Sequence, residues 1–356
     1  MTQTLSYPQM RSVGPKNAKI FLIGEAPGVE ELLQGSPFVG ASGKELRRML
    51  KQAGIDPGDC FLTNVFFDRP PDNRIEAFCD KTAFARGIAG MPALIPGLHV
   101  NADFASQLER LYDEILEVRP NVLCPLGNTA CWAVFRQTPK ITSLRGRISH
   151  ARIRGVQFKV LPTLHPAYIL RNWKDRVVVV ADFQKLKRES RHADICVPSR
   201  QILIDPTFSE AMDFLDRALH SNEVSLDVET RNGQITICGI ALSPWIGAVI
   251  PIWDFRKPDL SYWTEKEEVQ IVQGIRRLVG APHVVKIFQN GMYDMTYLWT
   301  TWKASLRNCS EDTMLLAHAM WPELKKDLGT LASLHTDEAS WKMMRFRNRD
   351  DFKRED

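Results

Sequence analysis

No two of the seven cysteines in this 356-residue chain fall as CxxC, and their number is odd, so neither a disulfide framework nor a zinc ribbon is indicated. No apolar run approaches the length needed to cross a bilayer, and the opening "MTQTLSYPQMRS" lacks the basic-then-apolar build of a signal peptide. The expectation is a cytoplasmic protein with reduced, packed thiols and no membrane partner. Charge of one sign is scarce too: a formal net charge of +4 permits local nucleic-acid-binding patches but does not announce them. Internal repeats and low-complexity tracts are absent. What is present is ordinary globular composition, 44% hydrophobic and 25% charged, on a chain longer than one core usually needs, so two domains are expected.

Apolar bursts alternate with helical stretches through the first half. "KIFLIG", "CFLTNVFF", "NVLCPLG" and "FKVLPTLHP" read as strands buried on both faces. Between them "SGKELRRMLKQAG" carries Leu46, Met49, Leu50 and Ala53 on one face with Gly54 as a stop, and "DFASQLERLYDEILEVRP" behaves similarly ahead of Pro120. Such alternation predicts a mostly parallel sheet with helices on both sides, and ligands gather at the carboxyl ends of its strands. The stretches "GEAPG", "TNV", "LGNTA" and "LHPAY" all lie at or near such ends, so one crevice could collect them. The charged segment 184 to 201, with Pro198, marks a linker. After it "EVSLDVET", "ITICGIALSP" and "GAVIPIW" predict an antiparallel meander, followed by helices near 264 to 279 and 312 to 321.

The loop "GEAPG" raises a chemical question, because a glycine-bracketed turn after a strand usually suits a phosphate, yet Glu25 occupies this one. The run "GEAPGVEELLQGSPFVGASGKEL", then "TNV" with "RPPDNR", then "RPNVLCPLGNTA", then "LPTLHPAYILR" closely resembles the uracil-DNA glycosylase superfamily, most of all its GEAPG-type family 4 enzymes. The resemblance covers about residues 18 to 185, in the family's motif order. It implies a three-layer α/β/α sandwich around a central parallel sheet over residues 1–190, and hydrolytic excision of a flipped uracil from DNA. Breaking an N-glycosidic bond develops cationic character on the sugar and an anion on the leaving base, so a carboxylate in this loop makes chemical sense.

By that resemblance Glu25 sits beside the reacting sugar and His165 stabilises the departing uracil, with Gly24, Ala26, Phe38 and Asn64 binding the base. Phe38 would stack on it. Asn64 would read its edge, since an amide offers the donor and the acceptor that O4 and N3–H require. Ala26 stands where family 1 enzymes place a water-activating aspartate, which leaves the general base open. Arg145 and Arg147, in "RGRIS", and Arg171 are candidate DNA contacts. His150 invites comparison with glycosylases that use a covalent histidine, but its place in the motif order excludes that role. Family 4 enzymes generally carry an iron–sulfur cluster on four cysteines, including a pair ahead of GEAPG and one just before "RPP". Here no cysteine precedes GEAPG and Asp68 holds the later position, so no cluster is expected, and the insertion at about 75 to 115 is the candidate to replace its structural role.

In the second half, "SLDVET", "FQNGMYDMTYL" and "EDTMLLAHAMWPELKKDLGTLASL" together look like the 3′–5′ exonuclease domain of family A DNA polymerases, including phage ones, over about 202 to 341. That implies an RNase H-like (DnaQ-like) α/β domain over 202–356, after a linker at 191–201. It also implies Mg or Mn held by Asp227, Glu229 and Asp294, with Asn290 in support and Asp312 capping the next helix. The family's last motif, a Tyr or His followed by a fourth carboxylate, is not found in "WKMMRFRNRDDFKRED", so feeble exonuclease activity at most is expected. Uracil-containing DNA is the expected substrate, and a DNA polymerase or replication protein the expected partner. The competing readings are a metal-dependent exonuclease with a uracil-sensing domain, and a non-catalytic uracil-binding polymerase accessory factor.

Overall fold

The computed structural model describes residues 8–81, 87–196 and 199–336, which divide into two compact units. In the first, five strands form one sheet: β1 (Ile20–Gly24), β2 (Cys60–Asn64), β5 (Val122–Pro125), β6 (Ser149–Ile153) and β7 (Val156–Val160). The short pair β3 (Cys79–Asp80) and β4 (His99–Val100) forms a separate hairpin within the 75-to-115 insertion. The sheet order is β2-β1-β5-β7-β6, parallel except for β6, which runs antiparallel to β7. All five residues of β1 and of β2 are buried, as a strand covered on both faces requires.

Helices α1 (Val29–Gln34), α2 (Ala41–Gln52), α3 (Ala105–Val118), α4 (Gly127–Phe135), α5 (Ile141–Leu144), α6 (Pro166–Arg171) and α7 (Arg176–Glu189) complete this part. One face of the sheet packs against α3 and α4 through Leu108, Leu111, Ile115 and Trp132. The other packs against α2, α6 and α7 through Leu46, Met49, Ile169 and Phe183. The expected three-layer sandwich is therefore the fold. The insertion adds Phe78 and Phe104, whose rings lie 5.3 Å and 5.7 Å from Phe66 at the end of β2. The run "FKVLPTLHP" stops being a strand at Val160, because Pro162 cannot donate to a ladder. A single bridge between Leu126 and Thr163 carries the chain on to His165.

The second unit contains β8 (Gln201–Leu203), α8 (Phe208–Leu219), β9 (Glu223–Arg231), β10 (Gln234–Ser243), β11 (Ile246–Pro251), α9 (Glu265–Gly280), β12 (Val285–Phe288), α10 (Met292–Trp302), β13 (Glu311–Asp312) and α11 (Thr313–Met320). Its sheet order is β13-β12-β9-β10-β11-β8, and β9, β10 and β11 form the predicted antiparallel meander. Among the described residues no helix is long and apolar enough to cross a membrane.

The division of the chain differs from the expected boundaries. The first unit is Met1–Cys196 together with Gly329–Asp356, and the second is Val197–Leu328. Helix α12 (Leu328–His335) brings the chain back to the first unit, where Leu331 and Ser333 are buried and Arg145 Nη1 donates to Ser333 Oγ at 3.1 Å. A short helical pattern such as "LGTLASLH" shows which face is apolar, not which sheet it covers. The stretch "WKMMRFRNRDDFKRED" lies outside the described residues.

Candidate active site

The carboxyl ends of β1, β2 and β5, with the extended segment after β7, open into one crevice of about 680 Å³. Glu25, Ala26, Phe38, Asn64, Leu126, Gly127, His165 and Arg171 line it, so four loops distant in sequence meet as expected. Gly24, at the end of β1, packs directly against two of these side chains. A Cβ there would lie 2.2 Å from Asn64 Oδ1 and 2.6 Å from Phe38 Cζ, closer than atoms tolerate, so the first glycine of the loop is a steric requirement of the site.

Asn64 is 2% exposed, and its Nδ2 faces the Glu31 carboxylate without a hydrogen bond of full geometry. A buried donor left without a good hydrogen bond costs about 1–3 kcal/mol, which a ligand carbonyl would recover. Beside it Glu31 is also buried. Burial raises its pKa, while hydrogen bonding from the N–H groups of Gly28 and Phe38 and from the Asn64 side chain opposes the rise. Gly28 N–H donates to Glu31 Oε2 at 3.1 Å, a one-way capping bond that makes this acid look like an ordinary first-turn residue in the sequence. Glu31 was therefore not singled out, and neither was Asn73, which also lines the crevice.

Phe38 stands in the left-handed region at φ 56°, with its ring centroid 6.4 Å from that of His165. A flat ring entering the crevice would meet both. His165 is the N-cap of α6, and its Nδ1 accepts the Ala167 N–H at 3.2 Å. Burial lowers the imidazole pKa to about 4, assisted by the positive charge of Arg171, while part of the ring still faces the crevice. The ring is then neutral near pH 7. With Nδ1 accepting, the proton must be on Nε2, so His165 is set up as a donor.

Glu25 accepts a hydrogen bond from Thr129 Oγ1 of α4. Burial holds its pKa above the ordinary carboxylate value, the Thr129 bond works against the rise, and the negative charge of Glu76 adds to it. A carboxylate so placed is more basic than one in water.

Arg171 is exposed on the crevice wall, and Arg147 is half-buried. Arg145 corrects its expected role: it is 9% exposed and ion-paired with Asp182 of α7 through both Nε and Nη2. Asp182 also accepts from Thr163 Oγ1, two residues before His165. This arginine is a brace beneath the His165 loop, not a DNA contact. His150 is exposed on β6, away from the crevice residues.

Cys60, Cys124 and Cys131 are buried within the first unit. Burial pushes the Cys60 thiol up to about 12 and those of Cys124 and Cys131 upward as well. At the position of the family's later cysteine, Asp68 accepts from Gln107 Nε2, and Gln107 Oε1 accepts the neighbouring Phe67 N–H. In the second unit Asp227 and Glu229 do share the exposed face of β9, as their alternation predicts. Asp294, however, is 3% exposed with its Oδ1 taken by the Val228 N–H at 2.8 Å. Burial raises its pKa to about 6, and the charges of Asp227 and Asp312 contribute. Among the described residues no three His, Cys, Asp or Glu side chains gather into a group that could hold a metal ion. Asp312 caps α11 as expected, with Oδ1 accepting from Met314 N–H at 2.8 Å and Oδ2 from Gly291 N–H at 2.7 Å.

The profile of the uracil DNA glycosylase superfamily matches residues 11–189. A type-4 uracil-DNA glycosylase of Archaeoglobus fulgidus is 30% identical over 197 residues, covering 54% of this chain and 84% of that protein. One from Saccharolobus solfataricus is 32% identical over 179 residues, covering 49% of this chain and 72% of that protein. A DNA polymerase of Bacillus phage SP01 is 23% identical over 337 residues, covering 86% of this chain but only 33% of the polymerase. Among solved structures, the EXO domain of Aedes aegypti Nibbler aligns with 41% of this chain and 73% of its own at 13% identity and a TM-score of 0.31. A likeness of that strength says nothing about activity.

Proposed function

Since the chain belongs to the uracil DNA glycosylase superfamily, we propose that its first unit flips uracil out of DNA and hydrolyses the N-glycosidic bond, leaving an abasic site. The observation that carries this reading is the convergence of Phe38, the buried amide of Asn64, the neutral His165 and the basic Glu25 on one crevice. Phe38 stacks on the extruded base, and Asn64 presents Oδ1 to N3–H and Nδ2 to O4. Cytosine offers the opposite pattern and leaves both groups of Asn64 unpaired. His165 Nε2–H donates to O2 as negative charge builds there, a stabilisation realised chiefly in the transition state.

Glu25 answers the puzzle of its loop. Its charge stabilises the cationic sugar, and its raised basicity suits it to orient or deprotonate the attacking water, a role that Ala26 cannot fill. No step of this scheme uses a metal or a cluster. Arg171, on the crevice wall, would meet phosphates flanking the extruded nucleotide, and Arg147 is a second candidate contact. The second unit, in this reading, holds nucleic acid or a replication partner. The likeness to the phage polymerase supports a replication setting, and the engaged Asp294 supports weak or absent nuclease chemistry.

The test is an end-labelled oligonucleotide with one uracil, incubated with the full chain in EDTA and then with magnesium or manganese, with and without alkali. Alkali-dependent cleavage at the uracil in EDTA is the expected result. Laddering from the 3′ end that requires metal, with no cleavage at uracil, would invert the assignment of the two units. Binding to uracil-DNA with no abasic site formed would make the chain an accessory factor.

A further inference from the structure

Asn64 ends β2, which is an edge strand. On its inner side it registers with Gly24 of β1, and on the outer side Val13 pairs with Leu62 and then leaves the strand. Beyond that point the Asn64 and Val65 carbonyls have no neighbouring strand to satisfy them. Arg110 spans both: its Nη2 donates to Asn64 O at 2.7 Å and to Val65 O at 2.9 Å, with Thr63 Oγ1 a more distant 3.4 Å from Asn64 O. Its Nη1 donates to Thr63 Oγ1 at 3.1 Å and to Glu114 Oε2 at 2.9 Å, and the guanidinium lies 3.6 Å over the Phe67 ring. Glu114 in turn accepts from Ser12 Oγ and Thr63 Oγ1 at 2.8 Å and 3.0 Å.

Gln107, Arg110 and Glu114 are spaced three and four apart on one face of α3, and together they hold residues 63 to 68. The amide of Asn64, by contrast, has only the Glu31 carboxylate facing it, without a hydrogen bond of full geometry at Nδ2. Its aim follows from its backbone, which the β1 ladder holds on the inner side and Arg110 holds on the outer side.

We propose that Arg110 is the positioning residue for the base-reading amide of Asn64, acting on uracil release through Asn64 and not by touching DNA. The proposal rests on the assignment of Asn64 made above. A planar, two-pronged guanidinium can bridge two successive carbonyls while keeping its pair with Glu114, whereas an ammonium on a shorter reach cannot do all three.

The test is a double-mutant cycle on single-turnover uracil excision at saturating enzyme, with wild type, Arg110→Ala, Asn64→Ala and the double variant. Arg110→Ala is expected to slow excision at least about tenfold, as loss of hydrogen bonds from a charged donor implies. In the Asn64→Ala background it should cost less than about twofold. Added ethylguanidinium should restore part of the Arg110→Ala rate, and Arg110→Lys should fall between the two. Equal losses from Arg110→Ala in both backgrounds would overturn the proposal and leave a structural ion pair. If the alanine variant melts below the assay temperature, the cycle is run with Arg110→Lys, to which the same criterion applies. A wild-type chain that releases no uracil, or an Asn64→Ala variant as fast as wild type, would locate the failure in the functional assignment, and the proposal would fall with it.

Discussion

At Glu25 and His165 burial acts in one physical sense, against charge, with opposite consequences for basicity. The carboxylate is pushed above its ordinary value of 4.5, and the imidazole is pushed down to about 4. If Glu25 works as the ionised partner of the sugar and water, single-turnover excision falls as pH drops through its raised pKa. The acid limb should therefore have its midpoint above 4.5. His165 stays neutral throughout that range and adds no limb near 6.5, the position an exposed histidine would give. Glu25→Gln should remove the limb and slow excision by about 10² or more, and a pH–rate profile of both proteins checks this. A limb near 6.5 that survives Glu25→Gln would mean that another group governs the rate. At the same scale, Arg145 shows why a basic loop is a poor guide to DNA contacts. In "RGRIS" nothing signals that Asp182, in a different element, will bury one of its cations.

Helix α2 lines the crevice only with Ala41 and Ser42 of its first turn, yet it fixes the site through the close approach of its backbone. A Cβ at Gly43 would lie 1.7 Å from the carbonyl oxygen of Phe38, so the helix can approach this backbone only with glycine at that position. Gly43→Ala must displace the Phe38 segment. Expected are a destabilisation of about 1–3 kcal/mol, typical of overpacking, and a loss of uracil affinity larger than the stability change explains. Thermal melts and inhibition by free uracil measure the two separately. Much of the site was legible because strand-end loops of a parallel sheet converge, which brought Glu25, Asn64 and His165 together from their places in the pattern. Gln107, Arg110 and Glu114 were not legible, since a polar face on an amphipathic helix reads as solvated until a sheet edge is found against it. Glu31 was hidden in the same way, by resembling a capping acid.

The two units are not strung in sequence order, because α12 returns to complete the first. Leu331, 7% exposed, should make that dependence measurable: Leu331→Asp buries a carboxylate without a designed partner and should lower the thermal tolerance of uracil excision, read as activity remaining after brief heating. An unchanged heating profile would mean that α12 adds nothing to the first unit. This arrangement has a consequence for biosynthesis. A glycosylase unit encoded in one piece could finish folding as soon as it left the ribosome, but here the segment that closes it emerges only after the whole second unit. At usual elongation rates the wait is on the order of ten seconds. During that interval the nascent repair module is open at the brace beneath His165, so a chain abandoned within the second unit leaves its glycosylase half without the helix that finishes it.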